Sequence, residues 1–186
     1  MAHEYGWEQS GSANTRKRRV QGVGSPDGQW VFFSLGGPEI PPDAKTIWKV
    51  SIDGGEPIRI TNTPSNGAAI SPDGTTIACW YKQDKRSPWQ IALIPITGGP
   101  PTQIISANRT SLFRLRWTPD GQAISYINTR DGVSNIWSQP INGGPAKQLT
   151  QFTSELIEGF AWTRNGNLIC ARNYTARDIV RISDFR

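Results

Sequence analysis

Arg114 and Arg116, two residues apart, are the side chains best suited to hold a ligand. A guanidinium presents a planar fork of donors that matches a carboxylate, so the pair reads as a contact for an acidic peptide or an anion. Asp27, Asp73 and Asp120 form a second set, each inside a Pro-Asp-Gly triplet. Carboxylates in pairs can do acid–base work, but these recur 46 and 47 residues apart, always in the same setting. Pro presets φ for a tight turn, Asp bonds its own backbone, and Gly takes the left-handed position. They therefore read as turn caps that stand apart in space. The single histidine, His3, sits in the N-terminal tail, a poor place for a general base. There is no G-x-S-x-G elbow and no Walker loop. Cys79 and Cys170 lie 91 residues apart without a C-x-x-C, so they read as strand thiols rather than metal ligands. No catalytic residue, metal or cofactor is expected, and the chain reads as a non-enzyme.

The elements that must position these side chains repeat. Pro26-Asp27-Gly28 returns as Pro72-Asp73-Gly74 and Pro119-Asp120-Gly121, then in altered form as Arg164-Asn165-Gly166. The third step is 45 residues. A second marker keeps pace: Gly54-Gly55, Gly98-Gly99 and Gly143-Gly144, 44 and 45 residues apart. Two markers on one period define an internal repeat, which governs the rest of the reading.

Each repeat reads as four strands. Apolar runs precede the Pro-Asp-Gly turn (68–70, 112–117, 157–162) and follow it (30–33, 77–81, 123–127, 168–171). A third run comes after a variable loop (47–52, 91–96, 136–141, 179–182), and a fourth after the Gly-Gly turn (57–61, 101–105, 146–150). Period-2 patterning puts Trp48, Val50 and Ile52 on one face, and likewise Ala92, Ile94 and Ile96. Trp48 and Trp137 hold equivalent places and are expected to be core. Four strands in ~45 residues is the pattern of β-propeller blades, whose faces are buried only by stacking on neighbours. The expected boundaries are 20–63, 64–108, 109–153 and 154–186, after a polar, basic tail over 1–19. The last repeat musters three strands, so the ring is expected to be incomplete. The alternation of His3, Tyr5 and Trp7 with Glu4, Gly6 and Glu8 could supply a closing strand, and a frayed tail is the competing expectation. The spacing of Leu149, Phe152 and Leu156 predicts at most one short helical turn.

Composition agrees with this all-β reading. The chain has 186 residues, with 19 Gly, 14 Pro, eight Trp and one Met. Such turn-forming and aromatic content suits pleated sheets and excludes a helical bundle. No run approaches ~18 unbroken apolar residues, so no membrane span is expected. The net charge is +5, but Arg16, Lys17, Arg18 and Arg19 supply most of it. The remainder is nearly neutral, which argues against a nucleic-acid face. No apolar leader is visible in 1–20. If Met1 is the true start, the default compartment is cytoplasmic; a fragment of a secreted parent would be periplasmic or extracellular.

Ser-Pro-Asp-Gly, an apolar strand, Ile-Trp-x-x-x-Ile-x-Gly-Gly and then Ile-Thr or Leu-Thr resemble the TolB-like β-propeller repeat, a relative of the WD-type repeat. The resemblance covers about residues 20–186. The ending, residues 177–186, also resembles the C-terminus of large bacterial proteins in which a propeller follows a kinase or a winged-helix regulator. The resemblance implies a sensor or scaffold that binds a protein or peptide. The alternative it leaves open is the substrate-gating propeller of a prolyl-oligopeptidase-like peptidase without its hydrolase domain. Arg114 and Arg116 fall where such propellers line the central channel, and the aligned positions hold Gly67 and Ala69, then Gly159 and Ala161. The Gly/Pro-rich loop over 35–45 is a second candidate surface. Open blade edges would permit self-association.

Overall fold

The computed structural model describes residues 4–5, 20–35, 45–84, 86–107 and 115–173. Among them are fifteen strands and no helix. The first sheet runs β1 (Glu4–Tyr5), β2 (Val20–Gly24), β3 (Trp30–Leu35), β4 (Thr46–Ser51) and β5 (Ile58–Arg59) in spatial order. The second runs β6 (Ser65–Ile70), β7 (Thr76–Tyr81), β8 (Gln90–Pro95) and β9 (Gln103–Ile105). The third runs β10 (Arg116–Trp117), β11 (Ala123–Arg130), β12 (Val133–Pro140) and β13 (Lys147–Gln148). The fourth pairs β14 (Leu156–Trp162) with β15 (Leu168–Asn173). Every pairing is antiparallel.

The repeated turns make these meanders. At the second one, the Ser71 carbonyl accepts from Gly74 N (2.9 Å) and Ser71 N donates to the Thr76 carbonyl (2.8 Å). Asp73 accepts from the Ser71 hydroxyl and from Thr75 N (3.0 Å), and Gly74 takes φ 74°. Asp27 and Asp120 repeat the arrangement with Ser25 and Gln29, and with Thr118 and Gln122. The hydroxyl first, then the backbone N–H, holds all three carboxyls below their usual range. In each, Oδ1 takes these bonds, so the turn fixes the orientation of the carboxylate. The fourth turn is one residue shorter, closing from Thr163 N to the Asn167 carbonyl (2.8 Å). The first glycine of each Gly-Gly turn has a positive φ (92° at Gly54, 91° at Gly98, 84° at Gly143), and at Gly98 a Cβ would also stand 3.0 Å from the Ile60 carbonyl oxygen.

The core lies between sheets. Phe32, Ile47 and Ile60 of the first pack on Ile77, Cys79 and Ile94 of the second. Ala69, Ala78, Trp80 and Leu93 of the second meet Leu115, Trp117, Ile124 and Tyr126 of the third. Ile127 and Ile136 of the third meet Ile157 and Phe160 of the fourth. Trp117 Nε1 donates to the Ala69 carbonyl (3.0 Å), and Trp162 Nε1 to Ser125 Oγ (3.2 Å), so indoles also bridge neighbouring sheets by hydrogen bonds. The stack is open: no described sheet lies against the far face of the first or the fourth.

Several expectations need adjustment. Glu4 and Tyr5 pair with Gln21 and Val20, so this strand extends the first sheet rather than the last. Leu149, Phe152 and Leu156 form no helical turn; Leu156 begins β14. Ile52 lies past the end of β4 and is exposed, so it does not share a packed face with Trp48 and Val50. Trp48 and Trp137 are only half-buried, and Trp48 lies on the first sheet's face turned away from the second. The strand expected over 179–182 lies outside the described residues, as do His3, Trp7 and the Arg16 to Arg19 run.

The two thiols differ. Cys79 is fully buried, and burial pushes its thiol up to about 12, whereas Cys170 is half-buried on β15. A thiolate is the reactive form. At neutral pH a maleimide should therefore label the native chain once, at Cys170. Labelling of Cys79 at a comparable rate before unfolding would contradict the packing of the first two sheets.

Candidate functional site

The two ends of the sheets are unlike. Pro-Asp-Gly and Gly-Gly turns occupy one end. The other carries the connections between second and third strands, and those that lead to the next sheet. They vary in length: two residues, 131 and 132, join β11 to β12, but eight, 82–89, join β7 to β8. Variable connections on a rigid scaffold are where binding residues gather.

An open cleft of about 240 Å³ lies at this end of the third sheet. Its walls include Arg130, Asp131, Trp137, Gln148 and Phe152. The local sequence explains it. Asp131 and Gly132 both take positive φ (50° and 78°), which gives a two-residue hairpin and lets β11 and β12 run to their full length. Pairing of Tyr126 with Trp137, Asn128 with Asn135 and Arg130 with Val133 places all six on one face. Arg130 reaches back over the Trp137 ring, with its guanidinium carbon 5.6 Å from the centroid. Asn135 clamps the opposite wall: its Oδ1 accepts from Phe152 N (2.8 Å) and Thr150 Oγ1 (3.0 Å), and its Nδ2 donates to the Phe152 carbonyl (3.1 Å). Behind that wall, Arg172 lies 4.0 Å from the Phe152 ring centroid and pairs with Glu155 at 2.9 Å. Glu155 has φ 71°, and its carbonyl accepts from Ser134 N (3.0 Å). Strain of this kind persists where surrounding contacts over-determine a loop. At the base, burial holds the Tyr126 phenol above its usual value, with the Arg130 charge acting the other way.

The sequence candidates fall elsewhere. Arg116 opens β10, the inner edge strand of the third sheet, opposite Ser125. It is half-buried, and its Nη1 donates to its own neighbour's carbonyl, Leu115 (3.2 Å). Ser125 and Ile127 face the fourth sheet, whereas the cleft is on the face toward the second, so Arg116 and the cleft are not brought together. Arg114 and residues 36–44 lie outside the described residues. The Arg130–Trp137 stack was missed from sequence because it needs the strand register. The available signal was the shortness of the Asp131-Gly132 loop.

No protein-family model matches the chain. A TolB structure from Agrobacterium tumefaciens superposes with a TM-score of 0.60 at 26% identity, over 81% of this chain and 56% of that one. The fold is a TolB-like β-propeller. Among curated relatives, this propeller is 30% identical over 131 residues to the Agrobacterium fabrum protein Atu1656, covering 68% of this chain and 41% of that one. It is also 30% identical over 103 residues to a Streptomyces coelicolor protein named Tricorn protease homolog 1, covering 55% of this chain but 9% of the relative. The chain thus spans less than half the length of either relative.

Proposed function

We propose that this propeller is a non-catalytic scaffold that holds an acidic peptide or protein surface. The observation that carries the reading is the division of labour between the two ends. The recurrent carboxylates Asp27, Asp73 and Asp120 are committed to their turns, whereas Arg130, stacked on Trp137, overhangs an open cleft at the loop end. A peptide side chain would lie against Phe152 and Val133, with a carboxylate on the guanidinium edge. Arg114 and Arg116, at sequence positions where two other repeats carry Gly and Ala, are a second candidate contact. An array of acidic, neutral and basic peptides tests this. Acidic members should be retained, and Arg130→Ala should weaken them at least tenfold, about 1.4 kcal/mol. Arg114→Ala with Arg116→Ala should weaken them further if the inner strand contributes. Equal retention of basic peptides, or no effect of either variant, would refute the reading.

A second reading is favoured by the stretch shared with the Tricorn protease homolog. As a gating propeller beside a hydrolase, the chain would bind unstructured peptides with little regard to charge. The same array separates the two.

A further inference from the structure

Among the described residues that line the cleft, two are charged, Arg130 and Asp131, and they carry opposite signs. Neighbours in a strand point to opposite faces, yet both of these border one cleft. The hairpin is the cause. Arg130 is the last residue of β11, whereas Asp131 is already in the turn, with φ 50°. The two charges do not pair. Among the described residues they form no ion pair with each other, and the guanidinium lies over the Trp137 ring instead.

The Asp131 carboxylate has no task inside the fold. Asp27, Asp73, Asp84 and Asp120 each accept a hydrogen bond from the backbone N–H two residues on, at 2.7 to 3.0 Å. Asp131 makes no hydrogen bond or ion pair among the described residues. Its turn needs a residue that tolerates positive φ ahead of Gly132, and asparagine meets that need as well as aspartate. The turn therefore accounts for the backbone at position 131 but not for the charge, which stands exposed at the rim of the cleft.

Placement sets the spacing. Trp137 pairs with Tyr126, four residues before Arg130 on β11, so the guanidinium reaches down the strand while Asp131 stays at the tip. A ligand carboxylate on the guanidinium edge thus lies deeper than a group beside Asp131. In an extended peptide, residues two apart share a face and stand about 7 Å apart along the chain. A second carboxylate at that distance would meet Asp131 with like charge. A Lys or Arg there would meet it with opposite charge, on a stem long enough to reach the rim.

We propose that the cleft selects a dipolar segment: an extended peptide with a Glu or Asp seated on Arg130 and a Lys or Arg two residues away held by Asp131. The proposal rests on the reading of the cleft as a carboxylate site and ranks ligands that this reading alone leaves equal. Asp131 is then a specificity determinant, attracting the right neighbour and repelling the wrong one. Arg130 and Asp131 are exposed. The attraction and the repulsion at Asp131 are therefore worth about two- to fivefold each in affinity, and salt weakens both.

Three peptides on one neutral, extended sequence test this, with both termini blocked so that side chains carry the only charges. One has a single Glu, one has Glu with Lys two residues to either side, and one has Glu at all three places. Each is titrated calorimetrically into the full chain at low ionic strength. The wild type should prefer the Glu–Lys peptide to the all-Glu peptide by about tenfold, the product of the two effects, with the single-Glu peptide between. Asp131→Asn should abolish that order, weakening the Glu–Lys peptide and strengthening the all-Glu one. A wild type that binds those two alike would overturn the inference, whatever the variant does, and so would Asp131→Asn with the wild-type order. In both cases the carboxylate site itself stands if Arg130→Ala still weakens every peptide. Binding that Arg130→Ala leaves unchanged would overturn both.

Discussion

Replacing Trp80 with Ala is expected to lower the unfolding free energy by about 3–5 kcal/mol. Trp80 is 1% exposed and is among the largest fully buried side chains. It belongs to the cluster joining the second and third sheets, and its ring meets Tyr126 edge-on, 5.9 Å between centroids at 77°. Truncation removes the indole's buried area and leaves a hole between two sheets whose backbones are fixed by their own ladders. The surroundings can collapse little, so the cavity cost adds to the transfer cost. In a stack where each unit touches only its neighbours, damage to one junction uncouples what lies on either side. The denaturant midpoint should fall, and the transition should broaden if the halves part company. The same truncation at Trp48 or Trp137 should cost less, because both are half-buried. If Trp48→Ala proves as damaging as Trp80→Ala, the assignment of faces is wrong.

Thr61→Val is expected to cost about 1–3 kcal/mol although the volume barely changes. Thr61 Oγ1 accepts from Ile47 N (2.8 Å) and shares a hydrogen with Ser65 Oγ, and Ile47, Thr61 and Ser65 are all buried. The valine leaves the Ile47 N–H without its acceptor, where water cannot replace it. Thr150 does the same for Ile136 N (2.9 Å). This is the physical content of the Ile-Thr and Leu-Thr ends of the repeat: the threonine completes the ladder where the outer strand has only two paired residues. Thr61→Ser keeps the hydroxyl and should retain most of the stability. Urea midpoints for both variants decide it, and a smaller loss for Thr61→Val than for Thr61→Ser would show that the methyl group matters rather than the hydrogen bond.

The sheets were legible in the sequence because the repeat reports itself four times over. A turn such as Ser71 to Thr76 is closed by residues within reach of one another, so its chemistry is local and can be read from Pro72, Asp73 and Gly74. What was not legible depends on partners far along the chain. The alternation around Tyr5 fits a strand but does not say which edge it joins, and it joins β2. Leu149, Phe152 and Leu156 have helical spacing, yet Asn135 holds the backbone at Phe152 and Leu156 is drawn into pairing with Asn173. Trp48 and Trp137 look alike in sequence. Their surroundings differ because Trp137 has the second sheet beside it and Trp48 has no described sheet there. The arginines show the same limit. Arg116 was visible by comparison with Ala69 and Ala161, but its half-buried place beside Leu115 was not. Nothing in the local sequence marks Arg130, because only the strand register puts it over Trp137.

The most direct test of the binding account is hydrogen exchange of the chain with and without the acidic peptide that the array retains best. Slowed exchange is expected at the loop end of the third sheet, over residues 128–135 and 148–155, with little change at the Pro-Asp-Gly turns over 25–29, 71–76 and 118–123. Protection confined to those turns, with the cleft unaffected, would contradict it.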